Sequence, residues 1–182
     1  MQAVNMRRAV FLDRDGVINQ AVIRDGKPYP PADVTELVIE PGTAEHLRRL
    51  KSGGFLLIVV TNQPDIARGT QGVEVCSQIH ERLRAELPLD DIFICPHDDG
   101  DQCDCRKPLP GLILRASRQY GIDLGGSYLI GDRWRDIDAA AAAGVTAVLI
   151  DRGYRERGPS HEPALRVGTL QGAVEWILGA IG

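Results

Sequence analysis

The sequence predicts an α/β protein: a three-layer, Rossmann-like parallel sheet with helices on both faces. Three observations carry that expectation. Short apolar runs alternate with segments of helical period along most of the chain. One run, Phe55 to Val60, is continuously apolar, as a strand buried on both faces must be. Acidic or polar residues follow the apolar runs directly, at the strand edge where open α/β sheets bind ligands.

The elements follow in order. Ala9 to Leu12 is a short buried strand running into Asp13-Arg14-Asp15-Gly16. Residues 19–33 are polar and Pro-rich; Ala21-Val22-Ile23 before the turn signal Asp25-Gly26 reads as one arm of a hairpin, a flap beside the site. Residues 41–51 form a helix with proline near its start and Gly53-Gly54 after it. The Phe55 to Val60 strand comes next, then Thr61-Asn62-Gln63. Residues 72–87 carry Val73, Cys76, Ile79 and Leu83 at helical spacing and are closed by Pro88. Ile92 to Ile94 is a short strand, and a polar cysteine-bearing loop reaches Arg106. Residues 110–120 form a helix ended by Gly121, 127–130 a strand, 134–143 an Ala-rich helix ended by Gly144, 146–150 a strand and 170–181 a last helix. With no internal repeat, linker or second core in the pattern, residues 1–182 read as one domain.

Bulk composition excludes several classes. The 182 residues are 43% hydrophobic and 25% charged, with net charge −4 and no basic stripe, so a nucleic-acid surface is not expected. No apolar run reaches membrane-spanning length. Met1 to Arg8 has two arginines but no long apolar stretch behind it, so no export leader is expected and the cytoplasm is the expected compartment. In a reducing compartment, clustered cysteines read as metal ligands.

Four groups carry chemistry. Asp13 and Asp15 lie two apart at a strand end and point to one side; one acid can hold a hard cation and attack phosphorus, the other can move a proton. A solvated acidic turn is the plainer account. Thr61 and Asn62 can grip a phosphate oxygen, or merely cap the next turn. Cys95, His97, Cys103 and Cys105 offer three thiolates and an imidazole, a full tetrahedral set for a structural zinc; a redox pair is the competing account. Arg106 and Lys107 follow the last ligand directly, where a pinned loop fixes two cations; solvated, they have no role. Asp132, at another strand end, is a helix cap or the completion of a magnesium site with Asp13 and Asp15, and Asp136 lies one helical turn further on.

Together these residues resemble the haloacid dehalogenase superfamily of phosphotransferases. Its four motifs stand in order: Asp13-Arg14-Asp15-Gly16, Thr61-Asn62, Lys107 and Gly131-Asp132. The cysteine loop running into Arg106-Lys107-Pro108 is similar to the zinc-stapled branch without a large cap domain, which includes heptose bisphosphate and histidinol-phosphate phosphatases. The resemblance implies a magnesium-dependent phosphomonoesterase with catalytic Mg2+ and structural Zn2+. Asp13 is then the nucleophile and Asp15 the proton donor and acceptor. Magnesium sits on Asp13, the Asp15 main-chain carbonyl and Asp132; Thr61, Asn62 and Lys107 hold the phosphate. Gln63, Arg106 and Arg133 contact the rest of a small phosphorylated substrate. The Asp15 pKa would be raised by neighbouring carboxylates and lowered by magnesium. Thr61-Asn62-Gln63 with Ile66-Ala67-Arg68-Gly69 looks like the heptose bisphosphate enzymes, and a heptose bisphosphate is the expected substrate; the compact cysteine loop and Arg133 look more like the histidinol phosphatases, and histidinol phosphate is the alternative. A monomer is expected. A non-catalytic module binding a phosphorylated ligand is the alternative from another class, disfavoured because two acids at a phosphate site hinder mere binding.

Overall fold

The computed structural model describes residues 6–181; most of the stretch read above for an export leader lies outside them. The chain alternates as expected: β1 (Arg8–Leu12), β2 (Val22–Arg24), β3 (Lys27–Tyr29), α1 (Thr43–Ser52), β4 (Phe55–Asn62), α2 (Val73–Glu86), β5 (Asp91–Cys95), α3 (Gly111–Tyr120), β6 (Tyr128–Gly131), α4 (Trp134–Ala143), β7 (Thr146–Ile150), β8 (Leu165–Val167) and α5 (Leu170–Gly179). Six strands form one parallel sheet in the order β5-β4-β1-β6-β7-β8. β2 and β3 form a separate antiparallel hairpin around Asp25-Gly26, with Asp25 at φ 52° and Gly26 at φ 76°.

The sheet divides the apolar residues into two cores, because successive strand side chains alternate faces. Val10 and Leu12 of β1 pack with Leu57 and Val59 beneath α1, α2 and α5. Ala9 and Phe11 pack with Ile58 and Val60 beneath α3 and α4. Phe11 has no exposed surface, and its loss to alanine would cost about 3–5 kcal/mol. The Ala-rich stretch of α4 lets that helix approach the sheet closely: Ala139 and Ala140 are fully buried.

Chain order reverses at β1, with β4 on one side and β6 on the other. The carboxyl ends of these three strands therefore border the crevice that α/β sheets use for ligands. Two differences from the sequence pattern bear on that edge. β4 continues through Thr61 and Asn62, pairing them with Ile94 and Cys95, so both are strand residues rather than a turn. β8, absent from the expectation, is three residues after a long polar loop; it pairs Leu165 to Val167 with β7. Among the described residues, no helix is long and apolar enough to cross a membrane.

Candidate active site

Asp13 follows β1 directly. Its N–H still bonds the Ile130 carbonyl at 3.0 Å, so the sheet ladder fixes its backbone. Asp132 follows β6 directly, and Asp136 lies in the first turn of α4. Oxygens of Asp13, Asp132 and Asp136 all lie within 4.8 Å of one another, and all three residues are buried. Lys107 reaches into this group from the loop before α3. Its ammonium donates to Asp13 Oδ1 at 2.9 Å, Asp136 Oδ1 at 2.5 Å and the Val60 carbonyl at 2.8 Å.

The charge balance is unfavourable as it stands. Burial and the nearby Asp136 carboxylate raise the Asp13 pKa to about 6, despite Lys107. Burial and the charges of Asp13 and Asp136 push Asp132 well above the usual carboxylate value. Burial opposes the charged form of Lys107, yet Asp13 and Asp136 hold its pKa above the ordinary lysine value. Both Asp136 oxygens are occupied, Oδ2 by the Arg133 N–H at 3.1 Å. Asp132 Oδ2 accepts from the Tyr154 hydroxyl at 2.8 Å, while Asp132 Oδ1 is buried without a partner. An unpartnered buried carboxylate oxygen beside a second acid is the environment a hard divalent cation satisfies. Gly16, at φ 85°, makes room for the Asp132 carboxylate: a Cβ there would fall 1.9 Å from Asp132 Oδ2.

Asp15 lies outside that cluster. Arg14, with no exposed surface, donates to both Asp15 oxygens at 2.9–3.2 Å. Asn19 Nδ2 donates to Asp15 Oδ1 at 2.9 Å and Gln63 Nε2 to Asp15 Oδ2 at 3.0 Å. Burial would raise the Asp15 pKa, but the Arg14 charge and these hydrogen bonds outweigh it, and the carboxyl lies below its ordinary value. The upward push thus comes from burial rather than from the anticipated neighbouring acids, and it is overridden chiefly by Arg14, which the sequence pattern leaves without a role. Arg14 is braced by His80 of α2, whose Nε2 lies 2.9 Å from the guanidinium. Burial and the Arg14 charge hold His80 neutral, with its pKa lowered to about 3.

Adjacent positions on β4 face opposite sides and do different work. Thr61 Oγ1 accepts from Gln63 Nε2 at 2.9 Å. Asn62 clamps the Lys107 backbone instead: its Oδ1 accepts the Lys107 N–H and its Nδ2 donates to the Lys107 carbonyl, both at 3.0 Å. Gln63, expected to touch substrate, has no exposed surface and does not line the cleft; it ties Asp15 to Thr61 from behind.

The cysteine loop stands on the same edge. The four donors Cys95, His97, Cys103 and Cys105 lie within 4.8 Å of one another, with no disulfide. Cys95 Sγ lies 3.8 Å from Cys103 Sγ, 3.6 Å from His97 Nδ1 and 2.9 Å from Cys105 Sγ. Burial and the Cys105 thiol raise the Cys95 pKa. On Cys103, burial is outweighed by the Arg106 and Cys105 backbone N–H groups, which lower its pKa to about 7.

A cleft of about 250 Å³ opens above Asp13, Asp15, Thr61, Asn62 and Lys107. The hairpin residues Lys27 to Pro30 form one wall, and Arg68, Arg106, Arg133 and Arg135 supply cations. All four carry acid partners: Arg68 Nε donates to Asp98 Oδ2 at 2.6 Å, Arg106 bonds Asp99 Oδ1 at 2.7 Å, Arg135 Nη2 lies 3.1 Å from the same oxygen, and Arg133 Nη2 lies 2.5 Å from Glu156 Oε2. Arg106 and Arg133 line the cleft where expected, though not as free cations. Arg135 and Asp99 were not singled out from sequence; Arg135 stands between Asp132 and Asp136, a position that pointed to it.

Comparison with known proteins agrees with this geometry. The HAD-hydrolase-like family model matches residues 104–172. The D-glycero-beta-D-manno-heptose-1,7-bisphosphate 7-phosphatase of Yersinia pestis is 35% identical over 95% of this chain and 90% of its own. The protein of that name from Pseudomonas aeruginosa is 39% identical, over 81% of this chain and 83% of its own. Among solved structures, the D,D-heptose 1,7-bisphosphate phosphatase of Bordetella bronchiseptica, complexed with magnesium and phosphate, superposes with a TM-score of 0.83 at 33% identity. That match covers 95% of this chain and 99% of the Bordetella chain.

Proposed function

The chain belongs to the haloacid-dehalogenase-like hydrolases, and on that premise we propose that it removes the 7-phosphate from D-glycero-beta-D-manno-heptose 1,7-bisphosphate through an aspartyl-phosphate on Asp13. The observation that carries this reading is the floor of the cleft: Asp13 held by the sheet, Lys107 at 2.9 Å, and an unpartnered Asp132 oxygen beside them. Asp13, Asp132 and the Asp15 main-chain carbonyl would hold magnesium, which would supply positive charge against the repulsion between carboxylate and phosphate.

The chain's own groups do the rest. Asp13 presents an oxygen to phosphorus. Lys107 meets the charge that spreads over the phosphoryl oxygens. The Thr61 hydroxyl accepts from Gln63, which leaves its own proton to donate to one of those oxygens. Asp15 gives a proton to the leaving alkoxide and later takes one from water. The arriving phosphate must supply or permit that protonation, since Arg14 favours the ionised form at rest. Arg106 and Arg133 face the remainder of the substrate and exchange part of their pairing with Asp99 and Glu156 for it.

The cysteine loop takes zinc in this reading. Zinc–sulfur bonds of about 2.3 Å in a tetrahedron place sulfurs about 3.8 Å apart, as Cys95 and Cys103 stand. The shorter Cys95–Cys105 approach would open on loading.

A panel of phosphoesters with magnesium tests the proposal. The heptose bisphosphate should show the highest kcat/KM and keep its anomeric phosphate. A higher value for histidinol phosphate would make that the substrate; no turnover of any phosphomonoester would leave a module that only binds.

A further inference from the structure

Tyr154 belongs to none of the motifs, yet its hydroxyl is the group that meets Asp132 Oδ2, at 2.8 Å and 22 residues along the chain. The other oxygen, Oδ1, is the buried one without a partner. We propose that Tyr154 is the positioning residue of the magnesium site: it pins one oxygen of Asp132 so that the other is aimed at the cation. The inference rests on the magnesium reading of Asp13 and Asp132.

The physical need is plain. A carboxylate is two-fold about its last torsion, and that torsion is broad. Asp132 is 4% exposed, so water has little room to hold it. A donor from outside the acid cluster fixes the plane of the carboxylate and also offsets part of its repulsion with Asp13 and Asp136. Donors placed this way behind metal ligands set both orientation and affinity.

Tyr154 is well placed to serve, because its loop is tied down on both sides. Arg152 Nε donates to the Gly16 carbonyl at 3.0 Å and Arg152 Nη2 to Glu40 at 3.0 Å. Glu156 pairs with Arg133. Gly16 completes the fit: a Cβ there would lie 2.9 Å from the Tyr154 hydroxyl as well as against Asp132.

The test is Tyr154→Phe, which keeps the ring and removes the donor. Magnesium binding is read by calorimetry on substrate-free protein. The dissociation constant should rise about tenfold, the lower end of what loss of such a partner costs. The unfolding temperature in chelator should move little. Turnover should be restored by raising magnesium, with substrate KM at saturating magnesium unchanged. Glu156→Gln serves as the second variant; it loosens the same loop but keeps the hydroxyl, and its magnesium affinity should stay within about twofold of the unmodified protein. The proposal is overturned if Tyr154→Phe binds magnesium as the unmodified protein does, if added magnesium fails to restore turnover, or if Glu156→Gln loses affinity equally. Absence of magnesium binding by the unmodified protein would sink this inference together with the metal reading beneath it.

Discussion

The acid cluster and the cysteine cluster share one edge of the sheet but are built in opposite ways. Asp13 and Asp132 are placed by neighbouring strands, and their positions follow from the ladder between β1 and β6. Cys95 ends β5, while His97, Cys103 and Cys105 hang on a loop without regular structure. The acids keep their places at an electrostatic cost, visible in the raised pKa values of Asp13 and Asp132. Cys95 and Cys105 are buried in the core beneath α3 and α4, but residues 99–102 between the ligand pairs are polar and exposed, with no apolar side chain to order them without an ion. On the proposed reading the difference separates two metal roles: magnesium would serve reaction on a site already formed, zinc the shape of a wall. The two meet at Lys107, which follows the cysteine loop and ends among the acids.

The largest expected effect lies on the preformed side. Asp13→Asn should lower magnesium-dependent phosphate release by more than about a hundredfold. Its unfolding temperature should hold or rise, since a buried like-charge contact disappears. An Asp13→Asn protein that keeps most of its activity would end the covalent route.

Zinc removal probes the other side. Carefully prepared protein should carry about one zinc per chain. Chelation should raise hydrogen exchange across residues 96–106 before it reaches the sheet, and should lower turnover by about tenfold as Lys107 loses its placement. Cysteine-loop exchange that follows the sheet instead would erase the contrast drawn above.

Asn62→Ala sharpens the junction between the two. It removes both hydrogen bonds to the Lys107 backbone, worth about 1 kcal/mol net, so kcat should fall about fivefold with little change in KM. A change confined to KM would mean that Asn62 touches substrate directly, as the sequence suggested.

The variant with the smallest expected effect on turnover instead reports on stability against acid. His80 is 2% exposed and braces Arg14 behind Asp15. Its pKa of about 3 in the fold lies below the ordinary histidine value, so the unfolded chain binds the extra proton. The stability His80 contributes is complete above about pH 6.5 and is lost as pH falls toward 3, by at most about 1.4 kcal/mol per unit. His80→Gln can still accept from Arg14 but does not titrate, so the unfolding temperature should lose part of its slope between about pH 6 and 4. An unchanged slope would place the acid sensitivity elsewhere.

What could be read from sequence divides along the same line. Strands and helices were legible because their period repeats over many residues, and Asp13 and Asp132 because each directly follows an apolar run. The cysteine loop was legible because its donors are contiguous. β8 was not: Leu165-Arg166-Val167 is short and only partly buried, with no period to detect. The work of Arg14, Gln63 and Asn62 was not legible either, because it depends on His80, Asp15 and Lys107, brought near only by folding. Polar residues next to a motif look alike in sequence; their partners decide whether they meet ligand or hold what does.

The hairpin of β2 and β3 shares no ladder with the main sheet, yet Lys27 to Pro30 wall the cleft. Its tip is held by the Arg155 N–H on the Gly26 carbonyl at 3.2 Å, and its base by Gln71 on the Pro31 carbonyl at 2.9 Å. It is thus an interchangeable fitting: residues 21–30 can be rewritten or grafted without re-registering a single strand of the sheet, while Asn19, which holds Asp15, stays. For an engineer, the route to a different substrate runs through this fitting, and the machinery on the strand ends can stay untouched.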